Sequence, residues 1–94
     1  MREQALETKC CEIAKAYGWL NFKGSSRNGG ADRIFFRGGH CFLVEFKAGK
    51  NKQSPNQENE AIIMEKTNYT PYYVVYTEEM MVDILRLETK RALQ

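Results

Sequence analysis

The chain has 94 residues, 43% hydrophobic and 28% charged, with a formal net charge of +2. These values predict one compact domain over residues 1–94, with a thin core that self-association would help to bury. No apolar run approaches the roughly 18–20 residues of a membrane span, and Met1-Arg2-Glu3-Gln4 does not read as a secretory signal, so the expectation is a cytoplasmic protein (the host cytoplasm for a viral one) with no membrane partner.

Residues 3–17 form an amphipathic pattern, with Leu6, Cys10, Ile13, Ala14 and Tyr17 at spacings of three and four, and Gly18 stands where a helix C-terminus favours a left-handed residue. Trp19 to Lys23 is a short candidate strand. The loop Gly24-Ser25-Ser26-Arg27-Asn28-Gly29-Gly30 follows, rich in residues that tolerate unusual backbone angles. Asp32–Arg37 and His40–Lys47 read as strands joined by Gly38-Gly39, a hairpin signal because primed turns need positive φ. Ser54-Pro55-Asn56-Gln57 opens a helix to about Lys66, with Ser as cap, Pro at the first turn and Gln three residues after the cap. Tyr72–Tyr76 is β-branched and aromatic, a buried strand. Thr77 then caps a last helix whose apolar face is Met81, Ile84, Leu85 and Leu87. The order is α-β-β-β-α-β-α, a mixed sheet flanked by helices.

Charge is unevenly spread. Residues 23–52 hold seven basic side chains (Lys23, Arg27, Arg33, Arg37, Lys47, Lys50 and Lys52) against two acids, a local +5 within the overall +2. Such a segment attracts polyanions, although a solvated surface of strands and loops would have the same composition. Cys10, Cys11 and Cys41 form no C-x-x-C pair and His40 is the single histidine, a pattern of reduced thiols rather than of a zinc site.

The Gly38-Gly39 turn carries a geometric expectation. If Arg37 faces His40, stepping outward sets Asp32 opposite Glu45, with Lys47 on the same face by the two-residue alternation. Phe42, Val44 and Phe46 then form an apolar row on the other face. Opposed carboxylates repel, and a hard divalent cation would compensate them. The alternative is a surface ion network in which Lys47 bridges the two acids.

Asp32 followed by Glu45-Phe46-Lys47 resembles the signature of the PD-(D/E)XK nucleases. It most resembles the VRR-NUC (virus-type replication-repair nuclease) branch, in which a first-helix Glu, Gly-x-Asp, E-x-K and a Gln opening the next helix occur in order. Here these are Glu7, Gly30-Ala31-Asp32, Glu45-Phe46-Lys47 and Gln57. Ala31 departs from the Pro found in many relatives. The resemblance implies a restriction-endonuclease-like α-β-β-β-α-β core and a Mg²⁺- or Mn²⁺-dependent endonuclease acting on structured or branched DNA as a homodimer, similar to Holliday-junction resolvases. It also implies metal ligation by Asp32, Glu45 and the main-chain carbonyl of Phe46, with Lys47 catalytic. Glu7 would line the site, through water or as a ligand to a second ion. Gln57 is either a capping-box residue or a group near the metal. Lys23, Arg27, Lys50 and Lys52 are candidates for DNA phosphate contacts. A catalytically inactive nucleic-acid-binding module and an RNA nuclease are the rival expectations.

Overall fold

The computed structural model describes residues 3–24, 31–47 and 70–94. Within these, helix α1 (Glu3–Ala16) is followed by strands β1 (Leu20–Lys23), β2 (Arg33–Arg37), β3 (His40–Phe46) and β4 (Tyr72–Val75), then helix α2 (Glu78–Ala92). The helix expected from Ser54 to Lys66 lies outside the described residues.

The strands form one sheet in the order β1-β2-β3-β4. The first three are antiparallel and β4 runs parallel to β3, so the sheet is mixed. Gly38 and Gly39 have φ of 58° and 82°, which makes the β2–β3 connection the tight turn that two glycines allow. Arg37 pairs with His40 as expected, and the ladder runs without slip to Arg33 opposite Val44.

Register decides what each face carries. Phe35, Phe42, Val44, Phe46 and Val75 point to one side, where Leu6, Cys10 and Ala14 of α1 and Met81 and Leu85 of α2 close over them. Both helices therefore pack on the same face and on each other. The other face holds a smaller apolar group, Ala31, Leu43 and Tyr72 with Ile34 against it. Trp19 is buried before β1, its ring edge-on to Phe42 at 4.8 Å and its indole N–H donating to Thr89 Oγ1 at 3.0 Å. Thr77 caps α2 as expected, accepting from the Met80 amide at 3.1 Å. No helix among the described residues is long and apolar enough to cross a membrane.

Two positions on α2 depart from the sequence expectation. Leu87 is 44% exposed, whereas Glu88, one residue on, is fully buried. Glu88 meets His40 Nε2 at 2.6 Å and Arg91 Nη1 at 3.0 Å and accepts from the Tyr73 hydroxyl. A buried carboxylate is tolerated when donors replace its water. These donors come from β3, β4 and the next turn of α2, so Glu88 fastens the helix to the sheet. Glu88→Ala should lower stability by about 2–4 kcal/mol through a cavity and stranded donors. Leu87→Ala should change it by less than about 0.5 kcal/mol, both read from urea unfolding.

Candidate metal centre at the end of the hairpin

The candidate site forms where the β2–β3 ladder ends. Asp32 lies one residue before β2, and its amide donates to the Val44 carbonyl at 3.0 Å, although Val44 is already the partner of Arg33. Two residues thus share one partner, as at a bulge, and Asp32 leaves the regular register before it can oppose Glu45. The direct cross-strand pairing expected from the sequence is replaced by a different contact. Amides along β3 alternate between neighbours: Lys47 donates to Val75 of β4, and Phe46 points back toward β2. With the β2 ladder finished, the Asp32 side chain fills the gap, Oδ2 accepting the Phe46 N–H at 2.7 Å.

The Asp32 main chain is held from the other side as well. Its carbonyl accepts the Gly24 amide at 2.8 Å. A Cβ on Gly24 would overlap the Ala31 carbonyl oxygen, so this approach requires glycine. Ala31, which precedes Asp32, is itself buried with Leu43 and Tyr72.

Electrostatics at this end are strained. Burial pushes the Asp32 carboxyl above the usual carboxylate range, and Glu7 and Glu3 push the same way; the Phe46 hydrogen bond and the Lys47 charge oppose them. Glu45 has a fully buried side chain, with the Lys47 ammonium 3.9 Å from its Oε2 and Lys47 only 15% exposed. The Lys47–Glu45 pair of the alternative network is therefore present but buried, and among the described residues Lys47 forms no ion pair with Asp32. Glu7, on α1, has its Oε2 2.5 Å from Arg33 Nε, and Arg33 Nη1 donates to Asn21 Oδ1 at 3.1 Å. Among the described residues no Lys or Arg lies within 4.0 Å of the Asp32 carboxylate.

Donor chemistry fits a hard divalent cation. The carboxylates of Asp32 and Glu45 and the main-chain carbonyl of Phe46 are oxygen donors, and Asp32 Oδ2 is bound to the amide of the residue that follows Glu45. Mg²⁺ characteristically takes one or two carboxylates and completes its shell with water and phosphate. Among the described residues no three His, Cys, Asp or Glu side chains come together to hold an ion. Cys10, Cys11 and Cys41 are free thiols, and burial pushes Cys10 up to about 12.

Lys23 is exposed at the end of β1. Arg27, Lys50, Lys52 and Gln57 lie outside the described residues. Arg33 and Asn21 were missed by the sequence reading. The signal was available: a charged residue opposite Val44 is aimed at the core face and requires a partner there.

A solved structure titled "VRR_NUC domain" superposes with a TM-score of 0.79, covering 92% of this chain and 96% of that one at 22% identity. The chain has the VRR_NUC fold. No protein-family model matches the sequence, and no curated protein matches it either. The likeness to the VRR_NUC structure is thus carried by architecture, and the α/β arrangement expected from the sequence is the one observed.

Within this VRR_NUC fold the Gly24 contact sets the backbone that carries Asp32. Gly24→Ala should cost about 1–3 kcal/mol, because backbone and not a flexible side chain must yield. It should also speed hydrogen exchange at the Phe46 amide, measured by NMR against the Leu43 amide, which donates to Pro71 and should be unaffected.

Proposed function

We propose that this chain is a divalent-metal-dependent endonuclease that hydrolyses phosphodiester bonds of DNA. The observation that carries this reading is the Asp32 carboxylate, partly desolvated and fixed on the amide that follows the buried Glu45. Capping the Phe46 amide requires one acceptor; a second carboxylate buried at the adjoining residue is what a cation site adds. The VRR_NUC fold supports the same conclusion.

In this reading Asp32, Glu45 and the Phe46 carbonyl hold Mg²⁺ or Mn²⁺. The ion supplies Lewis acidity and positive charge opposite the scissile phosphate. Lys47 holds the attacking water through its ammonium and offsets the charge that builds on the phosphate oxygens. Water attacks phosphorus in line as the bond to the 3′ oxygen breaks; the water gives up one proton to solvent and the departing 3′ oxygen takes one up from solvent, leaving a 5′-phosphate and a 3′-hydroxyl. Gln57 orients the water or a phosphate oxygen. Lys23, Arg27, Lys50 and Lys52 contact DNA phosphates, which position the duplex without reading its sequence.

The test is nicking of supercoiled plasmid with Mg²⁺ or Mn²⁺. Asp32→Asn, Glu45→Gln and Lys47→Met should each lower the rate by about 100-fold or more while circular dichroism stays native. Wild-type rates in all three would rule out this site. Retardation of plasmid without nicking by the wild type would favour the inactive binding module, and faster cleavage of RNA of the same shape would favour an RNA nuclease.

The proposed enzyme is a symmetric dimer that presents two sites to the opposed strands of branched DNA. In support, among the described residues β1 is an edge strand whose Leu20 and Phe22 are 68% and 59% exposed, with Phe36 beside them and its ring 5.7 Å from that of Phe22. An apolar edge that pairs with its own copy meets the self-complementarity that a two-fold axis requires. Phe22→Lys should convert a dimer to a monomer in sedimentation equilibrium. A wild-type chain that sediments as a monomer at all concentrations would exclude the dimer.

A further inference from the structure

We propose that the site takes a single divalent cation, and that Arg33 is a positioning residue that keeps Glu7 out of the ligand set. This rests on the metal-centre reading above and adds to it the number of ions and the role of a residue the sequence did not single out.

Three acids approach the end of the hairpin, and they are not equivalent. Glu45 is matched by Lys47 at 3.9 Å. Glu7 is matched by Arg33 at 2.5 Å. Among the described residues Asp32 has no cation within 4.0 Å. The uncompensated charge therefore sits on Asp32, and one added cation answers it.

Arg33 is well placed to restrain Glu7. It follows Asp32 in sequence, so alternation turns it to the face of its partner Val44, the face on which α1 packs. Its guanidinium is planar with donors fixed in a fork, and two of them are in use: Nε to Glu7 on α1 and Nη1 to Asn21 on β1. Arg33 and Glu7 are 25% and 16% exposed, so water would replace neither partner well. For Glu7 to ligate an ion it must leave this clamp and strand a half-buried guanidinium. Glu7, Asp32 and Glu45 are all described residues, yet no three such side chains gather around one point. Glu7 stands beside the site and outside the coordination shell.

The experiment is Mn²⁺ titration of the full chain, with free ion read by electron paramagnetic resonance and no DNA present. Wild type should bind one Mn²⁺ per chain. Glu7→Gln keeps an oxygen for Arg33 Nε and should bind one Mn²⁺ with affinity within about threefold of wild type. Arg33→Gln frees Glu7 and should tighten Mn²⁺ binding at least about fivefold or admit a second ion. Arg33→Lys, which can still pair with Glu7, should behave as wild type; if Arg33→Gln does not fold, Arg33→Met, which keeps the buried stem and removes the cation, stands in for it with the same expected tightening or second ion. Two ions in wild type, or a loss of about tenfold or more in Glu7→Gln, would make Glu7 a ligand and overturn the proposal. Wild-type binding in Arg33→Gln would remove the role given to Arg33. Asp32→Asn separates the two readings: it should weaken Mn²⁺ at least about tenfold, and if it does not, the metal centre itself is misplaced whatever Glu7 does.

Discussion

One hydrogen bond, from the Phe46 amide to the Asp32 carboxylate, determines the character of this end of the molecule. A strand that outlasts its neighbour exposes backbone donors, and a buried donor must find an acceptor. Here the acceptor is a side chain brought round by a one-residue shift at Val44 and backed by Gly24. The same bond that completes the sheet aims a carboxylate at the peptide following Glu45. Fold and site are therefore not separable at this point: the backbone that satisfies Phe46 is the backbone that presents Asp32.

Much of this was legible in the sequence, for identifiable reasons. Gly38-Gly39 restricts the connection to a tight primed turn, and a tight turn leaves a single register, so Arg37–His40 and the apolar row Phe42, Val44 and Phe46 followed. Period-two and period-3.6 patterns placed α1 and the four described strands within a residue or two of their bounds, and for α2 they placed the start, its end at Ala92 being left open. What failed is what register arithmetic does not contain. It carries the ladder to Asp32 opposite Glu45, whereas the amide of Asp32 pairs one residue short. A bulge is a local settlement among backbone hydrogen bonds, and no residue type in Ala31-Asp32-Arg33 announces it.

Helix α2 shows a second limit. Leu87 and Glu88 differ by one position, a rotation of about 100° on a helix. Side-chain type alone favours burying the leucine. Yet the helix is turned so that Met81, Leu85 and Glu88 share the buried stripe, at spacings of four and three. The periodicity is correct for Glu88 and wrong for Leu87, but a carboxylate is acceptable on that stripe only if His40, Tyr73 and Arg91 converge on it. That convergence is tertiary information, drawn from β3, β4 and α2 together.

The two ends of β3 then pose the same electrostatic problem with different answers. At the His40 end, Glu88 is buried and receives an imidazole, a phenol and a guanidinium, a complete set of donors for two oxygens. Such a group is structural, because nothing further would improve it. At the Phe46 end, two of three acids have a basic partner and Asp32 has a backbone amide with a carboxyl raised by burial and by its acidic neighbours. Removing water from a carboxylate costs free energy that a neutral N–H only partly returns, and a divalent cation would return more of it. Among the described residues, the contrast between an acid whose oxygens are fully supplied with donors and an Asp32 held by a backbone amide, on the same strand, is the physical ground of the proposal that places chemistry at one end of the sheet.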